Sequence, residues 1–190
     1  MKKIIGLLIF VLLFGYLNAQ TSKEIYQEGK QLYEAKKYKE AFQKFLSAAQ
    51  DGNKKAEYYL GRCYDKGRGV SEDEQKAFQW YFKSSEQGYA KAQYQVGKCY
   101  KKGDGVAKDV EKAAQYFEKA AIQGNADAQY ELGKCYMKGK GVALNAEKAK
   151  DYFKQAVSNP KGGDEILKEL KKDAAEGDSD ASKILKMLKN

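Results

Sequence analysis

The chain has 190 residues, a net charge of +9 and one proline, and it contains no histidine. The absence of histidine excludes the serine and cysteine triads that use it as a base, and most zinc sites. The positive charge is modest and no nucleic-acid-binding motif accompanies it, so we expect no nucleic acid partner.

Residues 1–19 have the pattern of a secretory signal peptide. Lys2 and Lys3 form a positive start, Ile4 to Leu17 is apolar, and the small residue Ala19 precedes the expected cut. The apolar segment has about 14 residues, shorter than the roughly 20 that a membrane-spanning helix needs. An uncleaved anchor is the alternative. We expect cleavage after Ala19 and an exported protein, periplasmic or secreted, with no integral membrane segment afterwards.

A repeat with a period of 36 residues runs through the middle of the chain. The segment from Ala92 to Gly124 aligns with the segments one period before and after it. The shared residues include Gly61, Gly97 and Gly133; Cys63, Cys99 and Cys135; and Val70, Val106 and Val142. A fixed period of this length is typical of a helical solenoid.

Each unit is predicted to be two helices separated by a Gly-x-Gly-Val loop. Val96 and Tyr100 have the spacing of one face of a first helix. Glycine accepts left-handed backbone angles, so the loop ends that helix. Asp73, Asp109 and Asn145 stand where the second helix begins, and these residue types are good N-caps. Two short helices cannot bury their apolar faces alone, so we expect neighbouring units to stack.

The pattern A-x-x-x-[LV]-G-x-x-Y-x-x-G-x-G-V, followed by Lys-Ala and an aromatic residue, resembles the Sel-one-like repeat (SLR). That family belongs to the tetratricopeptide-like (TPR-like) α-solenoids, and the resemblance covers residues 56–157. It implies an all-α fold, an α-solenoid of stacked antiparallel helix pairs. It also implies the family's usual role, which is to bind other proteins as a scaffold.

The expected organisation is a signal peptide (1–19) followed by one α-solenoid domain (20–190). The domain comprises a TPR-like first unit (20–53), three SLR units (54–89, 90–125 and 126–160) and a helical C-terminal cap (161–190). The first unit lacks the glycine loop, and Glu28 stands where the other units have leucine or valine, as expected of a polar terminal unit. Asp164 to Glu176 is predicted to be the first helix of the C-terminal cap.

The three cysteines occupy equivalent places in successive units. Packed helices lie roughly 8–10 Å apart, and a disulfide needs Cα atoms within roughly 7 Å, so Cys63, Cys99 and Cys135 are predicted to be free, buried thiols. The same distance argues against a thiolate metal site, and no cofactor is predicted. The SLR family includes an extracytoplasmic branch with one disulfide in each repeat, which requires two cysteines per unit. Here each unit has one.

Every unit has a tyrosine three places before its glycine and a cation one place after it. The two are four residues apart and share one face of the first helix. In TPR-like solenoids that face lines the concave groove, so the resemblance implies a tyrosine–cation ladder, which we call the ladder. Lys101 and Lys102 add charge in the third unit. The candidate partner-binding residues are Tyr26, Lys30, Tyr58, Arg62, Tyr94, Lys98, Lys101, Lys102, Tyr130 and Lys134.

The ladder predicts binding of an extended protein segment, with acidic residues or a free carboxylate as the preferred chemistry. The structural alternative is that the tyrosines pack between units and the lysines are solvated. A monomeric, non-catalytic scaffold is expected. The functional alternative is a cell-envelope enzyme, because some disulfide-rich SLR relatives are reported to bind or hydrolyse β-lactams. The chain lacks the cysteine pairs of that branch.

Overall fold

The computed structural model describes residues 21–189, and within that range the chain forms ten helices and no strand. The helices are α1 (Ser22–Glu34), α2 (Tyr38–Gln50), α3 (Lys54–Asp65), α4 (Glu74–Glu86), α5 (Ala90–Lys102), α6 (Val110–Ile122), α7 (Ala126–Lys138), α8 (Ala146–Val157), α9 (Gly163–Ala175) and α10 (Ser179–Lys189). The all-α prediction is confirmed. The predicted signal peptide lies outside the described residues.

The helices pack in consecutive pairs. α1 packs on α2, α3 on α4, α5 on α6 and α7 on α8, and each second helix also packs on the first helix of the next pair. Contacts between neighbours of this kind define an α-solenoid. α9 and α10 pack on each other and on α8, so they form the last layer of the described stack.

The predicted helix starts are confirmed in detail. Asp73, Asp109 and Asn145 are the N-caps of α4, α6 and α8, and each side-chain oxygen accepts a hydrogen bond from the backbone N–H three residues later, at 2.9 Å. A cap of this type stabilises by about 1 kcal/mol. At the opposite boundary, Gly103 and Gly139 end α5 and α7 with left-handed φ angles of 94° and 63°.

The glycines inside the first helices allow the paired helix to approach closely. An added Cβ would lie 2.5 Å from the Tyr81 ring at Gly61, 2.6 Å from the Phe117 ring at Gly97 and 2.7 Å from the Phe153 ring at Gly133. Real Cβ atoms do not approach other atoms so closely, so any larger residue must displace the ring. Each unit therefore has an aromatic ring pressed against a glycine.

The C-terminal helices complete the core. Leu170 of α9 and Ile184 of α10 are buried in one apolar cluster with Phe153 of α8 and Met137 of α7. The predicted cap helix Asp164–Glu176 corresponds to α9, which begins and ends one residue earlier. The last layer of the described stack is therefore a helical pair that differs in sequence from the repeats.

All three cysteines are free and buried, as predicted. Burial raises the pKa of the Cys63 and Cys99 thiols to about 12 and that of Cys135 to about 11. Thiolates are the reactive form of cysteine, so these thiols are unreactive at neutral pH and serve as small apolar side chains in the core.

Candidate functional site

The ladder has the predicted local geometry in the three glycine-loop units. The cation one turn after the tyrosine lies over its ring, because residues four apart on a helix are neighbours. The cation-to-centroid distances are 6.0 Å for Arg62 and Tyr58, 5.5 Å for Lys98 and Tyr94, and 5.2 Å for Lys134 and Tyr130. In the first unit Lys30 instead pairs with Glu34 at 3.3 Å, and Lys55 of the next unit lies 6.0 Å from the Tyr26 ring centroid.

The first two ladder tyrosines are core residues. Tyr26 is 6% exposed and Tyr58 is 8% exposed. Tyr58 is enclosed by Tyr59 and Tyr89, whose ring centroids lie 5.5 and 5.3 Å from its own, both edge-on. Tyr26 and Tyr58 therefore pack in the core, as the structural alternative expects, because neighbouring rings cover them. Their role in partner binding stays a prediction.

The last two ladder tyrosines are only partly buried. Tyr94 packs against Phe117 with 6.0 Å between ring centroids, and Tyr130 packs against Phe153 at 5.8 Å. One face of each ring is supported by the core, and the remaining surface is accessible. Burial, followed by the nearby charge of Glu131, raises the pKa of Tyr130 to about 12, so its hydroxyl stays protonated and can donate a hydrogen bond.

A cleft of about 290 Å³ lies beside these two tyrosines, and we call it the terminal cleft. Its other wall is α9. The lining residues are Tyr94, Asp127, Tyr130, Glu131, Lys134, Ile166, Glu169, Leu170 and Asp173. Four of them are acidic and one is basic, so this end of the ladder carries negative charge. Sequence reasoning placed α9 in the cap but missed its contribution to the ladder surface.

The lysines of the ladder differ in their electrostatic partners. Lys101 pairs with Glu131 of the next unit at 2.5 Å, and Lys134 lies 3.8 Å from the same carboxylate. Lys102 lies 3.9 Å from Asp104 in its own loop. Among the described residues, Lys98 and Arg62 form no such ion pair. The predicted concentration of charge around Lys98 is therefore divided, since Lys101 and Lys102 face different neighbours.

Neither a metal-binding cluster nor a membrane-spanning helix is found among the described residues. No group of three or more histidine, cysteine or acidic side chains in residues 21–189 could hold a metal ion. The one fully buried carboxylate among the described residues, Glu57, accepts a hydrogen bond from Gln87 at 2.6 Å and pairs with Lys83 at 3.1 Å, which ties α3 to the end of α4. Within the described part of the chain, no helix has both the length and the apolar character to cross a membrane.

A family model described as the Sel1 repeat matches residues 54–89, 90–125 and 126–160. The chain belongs to the Sel1 repeat family. The resemblance inferred from the Gly-x-Gly-Val units is thereby confirmed. Sel1 repeats commonly mediate protein–protein interaction, and Sel1 scaffolds are generally non-enzymatic.

Solved structures of other Sel1-type proteins share the fold. A Sel1 repeat protein from Oxalobacter formigenes is 34% identical, with a TM-score of 0.71 over 75% of this chain and 56% of that one. The protective antigen c5321 of uropathogenic Escherichia coli, which displays an SLR fold, is 29% identical, with a TM-score of 0.72 over 78% and 33%. The cysteine rich protein B of Helicobacter pylori is 25% identical, with a TM-score of 0.52 over 77% and 96%.

This Sel1 chain spans only part of the first two of these proteins, about half of the Oxalobacter protein and a third of the antigen. No functionally curated protein matches it. The comparisons therefore establish the repeat and its scaffold architecture, and the choice of partner depends on the side chains of this chain.

Proposed function

We propose that this Sel1 repeat protein is a non-catalytic scaffold that binds an extended segment of another protein. The segment lies along the C-terminal part of the ladder, formed by Tyr94, Lys98, Tyr130 and Lys134, which we call the open half. The observation that carries the proposal is that both tyrosines are partly exposed and each has a lysine over its ring, in consecutive units. A row of rigid aromatic contacts at a fixed spacing suits an extended chain better than a small molecule.

The ligand chemistry that we propose is acidic. Lys98 forms no ion pair among the described residues, so it can receive a carboxylate. Arg62 lies within 6.0 Å of the ring centroids of three tyrosines and belongs to the buried half. The terminal cleft is acidic and repels carboxylates. A bound segment should therefore place acidic residues along α5, and its part near α9 should be neutral or basic.

We further propose that the protein acts outside the cytoplasm as a monomer. Lys2, Lys3, the apolar segment Ile4–Leu17 and Ala19 support export. Free, buried thiols tolerate an oxidising compartment, because none is placed to form a disulfide. N-terminal sequencing of the exported protein should begin at Gln20 or its pyroglutamate form. A full-length chain retained in the membrane would contradict this part of the proposal.

The binding proposal is tested by capture from the envelope fraction of the native host. The mature protein is immobilised, and bound proteins are identified by mass spectrometry and then retested in purified form. Tyr94→Ala with Lys98→Glu should abolish capture at a temperature where circular dichroism shows that the variant keeps its helical content. Lys119→Glu is the matched control, because it repeats the charge change at an exposed position on α6 and should leave capture intact. Equal capture by all three proteins would place the binding surface elsewhere.

A further inference from the structure

Successive units enclose equivalent niches, each lying between two first helices and the second helix that separates them. The second glycine of each Gly-x-Gly-Val loop lets the loop backbone pack against the start of the preceding unit's second helix. At Gly105 (φ 68°) an added Cβ would lie 2.1 Å from the Glu74 carbonyl oxygen, and Gly69 and Gly141 meet the equivalent carbonyls of Tyr38 and Val110. The backbone is therefore the same in all three niches, and only the side chains differ.

The first niche, between the first and second units, is filled by aromatic rings. Tyr59 stacks on Phe45 with 4.8 Å between ring centroids. Arg68 donates a hydrogen bond from Nη1 to the Tyr33 hydroxyl at 2.6 Å and lies 5.1 Å from the ring centroid of Tyr38. These contacts close the space, so this niche is structural.

The second niche, between the second and third units, is a polar cavity of about 300 Å³. Its acidic residues include Asp65, Glu74 and Asp104. Tyr81 replaces the phenylalanine of the other units, is 2% exposed, and has a hydroxyl without a hydrogen-bond partner among the described residues. Lys66, Lys98 and Lys102 also line this cavity, and Lys66 pairs with Asp65 at 3.3 Å, so acidic and basic side chains are mixed here.

The third niche, between the third and fourth units, is a cavity of about 180 Å³ with a different chemistry. Its base is apolar, formed by Val110, Ala113 and Phe117. Four lysines surround this base: Lys101, Lys134, Lys138 and Lys140. Lys101 and Lys140 are the 36-residue equivalents of Asp65 and Asp104, so the charge at two positions is reversed between the second and third niches.

The lysines of the third niche are incompletely neutralised. Lys101 and Lys134 share the single carboxylate of Glu131. Lys138 pairs with Asp180 of α10, and Lys140 forms no ion pair among the described residues. Cations around an apolar base complement a ligand that carries both an apolar group and negative charge. A small hydrated anion would not use the base, because apolar surface gives it nothing to bind.

We propose that the third niche receives an apolar side chain of an acidic peptide segment, while its lysines bind the carboxylate side chains on either side. This inference rests on the proposed function, because Glu131 and Lys134 line both the niche and the terminal cleft beside Tyr130. A segment lying along the open half of the ladder can therefore insert one side chain into the niche. The third niche then determines which acidic segments are recognised.

The probe for this proposal is a fluorescein-labelled peptide with blocked ends and a central Glu-Glu-Leu-Glu-Glu sequence flanked by Gly-Ser residues. One matched peptide replaces the four glutamates by glutamine, and another replaces the leucine by serine. Binding to the mature protein is followed by fluorescence anisotropy at low salt. We expect the parent protein to bind the probe at least tenfold more tightly than either matched peptide.

The decisive variant is Lys101→Asp with Lys140→Asp, which gives the third niche the residues found in the second. It should weaken probe binding at least tenfold, measured at a temperature where circular dichroism shows the variant to be folded, because loss of the Lys101–Glu131 ion pair also lowers stability. Lys119→Asp with Lys154→Asp removes the same charge from exposed positions on α6 and α8 and should bind as the parent does. Equal weakening of both variants would indicate general charge attraction and would overturn the proposal.

The remaining outcomes separate this inference from the proposed function. If Tyr94→Ala with Lys98→Glu loses the probe while the niche variant retains it, the ladder binds and the niche inference is overturned. If neither variant loses the probe, both the niche inference and the ladder proposal are overturned. Equal binding of the leucine and serine peptides, or no binding of the probe to the parent, also overturns the niche inference.

Discussion

Tyr58 and Tyr94 occupy the same place in consecutive units, yet one is a core residue and the other is available to a partner. Both stand four residues before a cation and both contact the aromatic residue of the paired helix. The difference lies in the neighbours. Tyr59 and Tyr89 cover Tyr58, whereas the equivalent positions around Tyr94 hold Gln95 and Asn125.

The repeat motif alone therefore does not determine whether a ladder tyrosine is exposed. The motif determines where the tyrosine and the cation lie, and the residues packed around the ring determine whether it is covered. The N-terminal half has become aromatic core, and the C-terminal half keeps an open surface with charged residues around it. Substitutions at matched positions in the two halves therefore test this difference.

The largest expected difference is in the stability cost of removing each ring. Tyr58→Ala should destabilise by about 3–5 kcal/mol, the range for large-to-small changes of buried aromatic residues. Tyr94→Ala should cost about half of that or less, because part of its ring is already in contact with water. Urea unfolding of the two variants measures both values. Equal losses would mean that the two halves do not differ in burial.

The next largest effect is a loss of stability that should be similar in both halves of the ladder. Gly97→Leu and Gly61→Leu should each destabilise by about 1–3 kcal/mol or more, because the new side chain must displace the Phe117 or Tyr81 ring. The denaturation midpoint measures the loss. Lys91→Leu, at an exposed position on α5, is the control and should change it little. An unchanged midpoint in Gly97→Leu would refute the close packing.

A smaller effect is expected at Tyr81, where the second unit differs from the others. Tyr81→Phe removes a buried hydroxyl that has no described partner and restores the residue found in the other units. The change should be neutral or stabilising by about 1 kcal/mol, since an unpaired buried polar group is costly. Thermal unfolding measures the shift. A clear destabilisation would show that the hydroxyl does have a partner in solution.

The smallest difference is expected among the thiols. Burial raises the pKa of both thiols, but Cys63 is 0% exposed and Cys135 is 9% exposed, so Cys135 should be alkylated sooner in the native protein at alkaline pH. Because the pKa of each thiol is raised in the folded protein, the stabilisation of the folded state is fully present below the ordinary thiol pKa. It is lost as the pH rises from there through the raised values of about 11 and 12. Mass spectrometry of peptides after timed alkylation measures the order. A disulfide, or Cys63 reacting first, would contradict the packing.

The fold was largely predictable because its signals are local. The 36-residue period, the N-cap residues and the mid-helix glycines all depend on residues close in sequence or on one repeated pairing. The i, i+4 spacing likewise predicted that Lys98 and Lys134 share a helix face with Tyr94 and Tyr130, and in the structure each lysine lies over the tyrosine ring. These features follow from helix geometry alone.

The exposure of each ladder side chain was less predictable, because it depends on tertiary contacts with other parts of the chain. Tyr58 is covered by the adjacent Tyr59 and also by Tyr89, which is distant in sequence, and the terminal cleft is closed by α9 of the cap. Lys101 and Lys102 could have been separated in advance, because adjacent residues on a helix point about 100° apart. The pairing of Lys101 with Glu131 of the next unit required the structure.

The proposed binding of an acidic, extended segment belongs to the open half of the ladder and not to the buried half. Isothermal titration calorimetry with the captured partner's binding segment measures this difference, with the parent, Tyr94→Ala with Lys98→Glu, and Lys30→Glu compared at low and physiological salt. We expect at least a tenfold loss of affinity, about 1.4 kcal/mol, for the open-half variant and no change for Lys30→Glu. Parent binding should also weaken as salt rises, because exposed charges are screened. Equal affinity for all three proteins, or a loss confined to Lys30→Glu, would overturn the assignment of binding to the open half.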